Sequence, residues 1–130
     1  DAAPVASSAQ ATPMASKTAV AAPGEPVQVV ITLKPNEGRE IKAVMTAGSA
    51  MRYAWKTDGA KIRYELHGEE FNAAEGEYTS YEKGTSAGES GSFTAPFDGT
   101  HGWYWKNKTS EPVTITASAT GGFSAFAAKP

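Results

Sequence analysis

The residues best equipped for chemistry in this sequence are its two histidines, His67 and His101. Glu69 and Glu70 lie just after the first, and Asp98 just before the second. Two imidazoles and a carboxylate form a donor set that suits a divalent ion such as Zn or Cu, so His67, His101 and Glu69 are the candidate metal ligands. Two imidazoles sharing one ion must approach within about 5 Å of each other. The sequence spacing does not bring them together by itself. Both fall at or near the ends of extended runs, and a two-sheet fold can place such ends side by side. The plainer reading makes each a surface or hydrogen-bonding histidine.

The aromatic residues are the second candidate set. Trp55, Trp103 and Trp105, with Tyr53, Tyr64, Tyr78, Tyr81 and Tyr104, would serve as a platform for a carbohydrate or another ligand. In an extended chain, alternation places Trp103 and Trp105 on one face and Tyr104, with Lys106, on the other. If the tryptophans fill the core, the binding surface falls to Tyr78, Tyr81 and Tyr104.

Catalytic patterns are absent from the sequence. No serine sits in a G-x-S-x-G turn, and no Ser, His and Asp set can be named. Glu69 and Glu70 are adjacent, so on an extended chain they point apart and make a poor acid/base pair. The run GTSAGESG, Gly84 to Gly91, has no lysine and no following helix, and reads as a mobile loop rather than a phosphate cradle. Asn107-Lys108-Thr109 fits the N-x-T acceptor pattern but reads as turn chemistry. No catalytic residue and no cofactor is assigned, and the chain reads as a non-enzyme.

Composition narrows the field further. The chain has 130 residues, room for one domain. Its formal charge of −2 lacks the basic field that nucleic acid or an anionic membrane surface requires. It has no cysteine, so no disulfide, thiolate metal site or cysteine nucleophile is available. No run is long and apolar enough to form a spanning helix. The chain begins at Asp1, which implies a processed or trimmed form with any signal peptide or anchor upstream.

These residues must be positioned by strands. Residues 1–26 are rich in Ala, Pro and Ser, and read as a disordered linker. From Val27 the pattern turns to a period of two. Val27 to Leu33, Ile41 to Met45, Met51 to Trp55 and Ile62 to Leu66 read as half-buried strands. Asp58-Gly59 between two of them predicts a tight hairpin. Residues 77–83 add a short strand. The stretch from Gly91 to Ala119 reads as hairpin-rich, with an aromatic strand over 101–107 and an alternating strand over 113–117. About eight short strands with turns roughly every 8–12 residues predict an all-β antiparallel sandwich or jelly roll over 27–126.

Several runs carry a resemblance. L-x-P-x-x-G-x-E-I-K from Leu33, Y-x-W-x-T-D-G from Tyr53 and F-D-G-T-H-G-W-Y-W-K-N from Phe97 occur in that order. They resemble the periplasmic β-domain of bacterial proteins described as transmembrane anchor proteins. The C-terminal half, with Phe93, Asp98-Gly99-Thr100 and Val113 to Ile115, is similar to GOLD-type β-sandwich domains. The resemblance implies a periplasmic module held at the inner membrane by an anchor that is absent from this chain. Its implied role is to bind an envelope protein or a small ligand. A metal-binding accessory protein using His67 and His101, and a carbohydrate-binding module using exposed aromatics, are the alternatives.

Overall fold

A computed structural model describes residues 25–129. The expected linker, apart from its last two residues, lies outside the described residues. The described chain forms nine strands: β1 (Val27–Leu33), β2 (Gly38–Met45), β3 (Ala50–Thr57), β4 (Ile62–Glu70), β5 (Thr79–Ser86), β6 (Gly88–Thr94), β7 (Gly99–Lys106), β8 (Val113–Gly121) and β9 (Ala125–Ala128). They build two antiparallel sheets, ordered β9-β2-β7-β4-β5 and β1-β8-β3-β6. The last strand carries the domain past residue 126, because β9 pairs along β2 from Ala125↔Val44 to Ala128↔Ile41.

The pairing is nested. β4 pairs with β5, β3 with β6, β2 with β7 and β1 with β8, and successive pairs fall in alternate sheets. This is the connectivity of a long hairpin rolled into two layers, a jelly roll, with β9 added at one edge. Of the described strands, only β4 and β5 are both consecutive and paired. The hairpin expected at Asp58-Gly59 is therefore an arch: β3 and β4 belong to different sheets. Thr57 shapes it by accepting from the Gly59 N–H at 3.0 Å and donating to the Ala60 carbonyl at 2.6 Å. The turns between β6, β7 and β8 are arches as well, so the Gly91–Ala119 stretch contains no hairpin. GTSAGESG is not a loop either. It forms the end of β5 and the start of β6, which turn over Ala87, whose carbonyl accepts from the Thr57 N–H at 2.8 Å.

The alternating apolar positions meet between the layers. Leu33, Ile41, Met45, Met51, Ile62, Trp103, Trp105, Val113 and Ile115 are essentially inaccessible to solvent. Trp55 crosses from the opposite sheet to meet the Trp105 ring edge-on at 5.5 Å and Tyr64 at 5.3 Å. Each such pair adds about 0.5–1.5 kcal/mol beyond the apolar area it buries.

One end of the sandwich is tied by Asn107, which is fully buried. Its Nδ2 donates to the carbonyls of Leu33 at 3.0 Å and Glu111 at 2.8 Å. Its Oδ1 accepts from the Thr109 N–H at 2.9 Å and the Thr109 hydroxyl at 2.7 Å. The N-x-T triplet is thus internal turn chemistry, with its amide out of reach of solvent. Alongside, Pro35-Asn36 forms the centre of a turn closed by Glu37 N–H to Lys34 O at 2.9 Å. Asn36 carries the positive φ of 68° that this turn requires, a conformation that asparagine tolerates better than most residues.

Candidate functional site

The two histidines stand on neighbouring strands but on opposite faces of the five-stranded sheet. Gly68 on β4 pairs with His101 on β7, and His67 pairs with Gly102. His101 shares the inward parity of Trp103 and Trp105, while His67 shares the outward parity of Tyr104 and Lys106. The sheet backbone separates the two imidazoles, so one ion cannot bridge them. Glu69 faces outward, where its Oε1 lies 3.7 Å from Lys42 Nζ. The ligand set expected from His67, His101 and Glu69 is therefore not assembled. No group of three or more His, Asp or Glu side chains among the described residues is gathered to hold a metal ion.

His101 belongs to the interior. It has no solvent exposure, and Phe97, Phe93 and Tyr81 ring it at centroid distances of 4.8, 5.4 and 6.0 Å. Its Nε2 lies 3.0 Å from the Phe97 carbonyl oxygen, which can only accept, so Nε2 carries the proton. Nδ1 then accepts from the Tyr81 hydroxyl at 3.1 Å. Burial pushes the His101 pKa down; the Phe97 carbonyl opposes that shift and Lys42 adds to it. Both ring nitrogens are satisfied with the imidazole neutral.

Tyr81 reaches this position through a bulge. Leu66 pairs with Glu82 and His67 with Ser80, leaving Tyr81 as the extra residue of β5. Strict alternation would send it outward with Lys83, as the sequence reading assumed. Instead it is half-buried against His101 and Phe93. The three expected surface tyrosines thus divide. Tyr78 is 53% exposed and lies over His67 with ring centroids 4.9 Å apart. Tyr104 is half-buried on the outer face, its ring laid across Gly38. Trp103 and Trp105 stack at 12° but are 2% and 0% exposed, so they offer no sugar platform.

The outer face of the five-stranded sheet carries the remaining polar chemistry. Lys42, Gly102 and His67 lie in one row across β2, β7 and β4. Glu40, Tyr104, Glu65 and Lys83 form the next row, and Gly38, Lys106, Arg63 and Thr85 the one beyond. Gly102 stands between Lys42 and His67, where a β-carbon would run into the Ile41 carbonyl oxygen and Lys42 Cα. His67 Nε2 lies 3.2 Å from Glu40 Oε2, and its Nδ1 lies 3.8 Å from Glu65 Oε1. Lys129, beyond β9, reaches Glu40 at 3.6 Å and Glu69 at 4.0 Å. The hydrogen bond to His67 is the main reason that Glu40 holds its carboxyl below the usual range; burial opposes it, and Lys42 and Lys129 reinforce it. Burial pushes the Lys42 pKa down, with Glu40 and Glu69 partly offsetting it.

Beside this ion network is a shallow depression of about 270 Å³ lined by Arg63, Glu65, Lys83, Tyr104, Lys106 and Lys108. Alternation sets Tyr104 and Lys106 on one face of the aromatic strand, but the sequence does not group them with Arg63, Lys83 and Lys108. The available signal was the outward parity of Arg63, Lys83 and Lys106 on β4, β5 and β7, but the strand order that makes them neighbours joins residues far apart in sequence.

No protein-family model matches the chain, and no curated protein matches it by sequence. Solved structures do match the fold. PliG of Aeromonas hydrophila, a periplasmic inhibitor of g-type lysozyme, superimposes with a TM-score of 0.52 at 14% identity, covering 74% of this chain and 85% of that one. The Yersinia pseudotuberculosis-derived mitogen gives a TM-score of 0.54 at 14% identity, again covering 74% and 85%. At these identities the likeness is one of fold.

Proposed function

We propose that this domain is a non-enzymatic binding module of the bacterial envelope that recognises a protein partner through the outer face of its five-stranded sheet. The observation that carries this reading is the group of cations around Tyr104, three of them on adjacent strands and Lys108 in the loop after β7, backed by a largely buried ion network. Rigid strands present such a surface at low ordering cost. The two histidines are placed apart: both nitrogens of His101 are occupied inside the core, and His67 lies between Glu40 and Glu65 under Tyr78. The jelly-roll likeness to a periplasmic lysozyme inhibitor and to a mitogen supports a role in binding by analogy of fold. The resemblance to transmembrane anchor proteins supports a periplasmic location at the inner membrane, with the anchor elsewhere in the parent protein.

The test is site-specific photo-crosslinking from position 104 in intact cells, with the captured protein identified by mass spectrometry. A discrete partner captured from position 104, but not from position 54 on the opposite sheet, is the expected result. Equal or absent capture at both positions rejects this face as the binding surface.

A further inference from the structure

We infer that the depression around Tyr104 is a docking site for an acidic, extended segment of the partner protein. The inference rests on the reading of this face as the binding surface and adds the chemistry of what it holds. Four of the chain's twelve Lys and Arg residues, Arg63, Lys83, Lys106 and Lys108, line one depression on a chain whose formal charge is −2. Arg63 and Lys106 stand directly opposite each other on β4 and β7. Like charges in that position destabilise a sheet pair. None of the four forms an ion pair with an acid among the described residues, whereas Glu69 and Glu40 on the same face pair with Lys42 and Lys129, and Glu65 lies beside His67. The single acid lining the depression, Glu65, is turned with Oε1 3.8 Å from His67 Nδ1. The depression therefore sets four cations against one carboxylate, a net positive field over a site with room for a few side chains.

Geometry selects the occupant. Arg63 and Lys106 stand opposite each other about 4.8 Å apart, Lys83 lies one row further along the sheet, about 7 Å on, and Lys108 follows β7, so an extended segment with several carboxylates can meet more than one of them. Arg63 can take a carboxylate through two parallel N–H donors, and the lysines act as point charges. The Tyr104 ring forms an apolar floor for the methylene stems of Glu or Asp. A bilayer is the poorer fit, because among the described residues the exposed large apolar side chains, Val30, Phe71 and Tyr78, lie outside the depression and none stands among the cations. The overall negative charge repels an acidic partner elsewhere on the surface and steers it to this patch.

The experiment is fluorescence anisotropy of the full chain with a fluorescein-labelled decapeptide of alternating glutamate and serine. Binding is expected at about 20 mM NaCl and should weaken about tenfold or more by 200 mM, as contacts between exposed charges are screened. Arg63→Glu with Lys106→Glu should weaken it by at least about tenfold, whereas Arg52→Glu with Lys56→Glu, on the outer face of the other sheet, should leave it within about twofold. Far-ultraviolet circular dichroism checks that each protein is folded, and Lys83→Gln with Lys108→Gln replaces the reversal pair if that pair unfolds. No binding at low salt, equal binding by the charge-reversed chain, or preferential binding to phosphatidylglycerol vesicles overturns the inference. Crosslinking separates the two readings. If position 104 still captures its partner from the charge-reversed chain, the face stands and the acidic segment falls; if the wild-type chain captures none, the face itself falls.

Discussion

Replacing Asn107 with aspartate exchanges one amide nitrogen for an oxygen and leaves the shape of the side chain almost unchanged. In the wild-type protein that nitrogen donates to two carbonyls, Leu33 O at 3.0 Å and Glu111 O at 2.8 Å, with the side chain fully buried. In the variant at neutral pH an anionic oxygen faces both acceptors. Two hydrogen bonds are lost at about 1 kcal/mol each, and the buried carbonyls that lose a donor add a desolvation cost of about 1–3 kcal/mol, eased at Glu111 O by the Thr109 hydroxyl 2.9 Å away. The uncompensated buried charge raises the total to about 4–6 kcal/mol, a large fraction of the 5–15 kcal/mol by which domains are stable. Asn107→Ala removes the same donors without adding charge and should cost less, about 3 kcal/mol. Burial raises the folded pKa of the introduced carboxyl above its unfolded value. The deficit therefore grows as pH rises through the ordinary Asp range and levels off above the raised folded value. Urea unfolding followed by the fluorescence of the three buried tryptophans, at pH 4 and pH 7, reads the effect. An Asn107→Asp protein within about 1 kcal/mol of wild type at pH 7 refutes the assignment of the amide as a double donor.

Further outcomes are expected. Gly68→Ala places a β-carbon against His101 Nδ1 and the Tyr81 hydroxyl and should cost about 2 kcal/mol in thermal or urea unfolding, while Tyr81→Phe, which leaves His101 Nδ1 without its donor, should cost about 1–2 kcal/mol. Because burial lowers the folded pKa of His101, the unfolded chain takes up its proton first; stability should fall as pH drops below about 6.5, and this limb should flatten in His101→Gln. The lowered pKa of Glu40 adds a second loss, as pH falls through its folded value below the ordinary Glu range, which Glu40→Gln should remove. Lys42→Met replaces a buried ammonium that makes no hydrogen bond, and its partner Glu69 keeps 30% side-chain exposure, so stability should hold or rise by about 1 kcal/mol in urea unfolding.

The strands were readable because half-burial writes itself into the chain with a period of two. Val27 to Leu33, Ile62 to Leu66 and Val113 to Ala117 fall where alternation places them. Pairing was not readable on the same basis. Asp58-Gly59 specifies a reversal, but a reversal serves an arch between layers as well as a hairpin within one. Gly84 to Gly91 shows the converse limit: two edge strands need few apolar side chains, so their sequence looks like a loop. At the site, parity placed Tyr104, Trp103 and Trp105 correctly and also sent His67 outward. Tyr81, expected on the surface, turns inward because one inserted residue inverts the faces beyond it and nothing in the local composition marks the insertion. The cations around Tyr104 were unreadable as a group, since only the β5-β4-β7 order brings them together.

The nested order of pairing also sets a timetable for self-assembly. β4 and β5 are the only described strands that can pair by closing a short loop; every other pair in the nest must wait for the one inside it to draw its ends together. The sequence registers widen from β4·β5 outward to β1·β8, where Val27 meets Ala119. Native structure should therefore spread from the middle of the chain to its ends, at the slow rates of topologies dominated by distant contacts. β1, among the earliest of these strands to be synthesised, would be the last of the nest to find a partner. Until β8 arrives, Ile31 and Leu33 stay uncovered, and that interval is when the chain is most open to proteolysis and to pairing with another molecule.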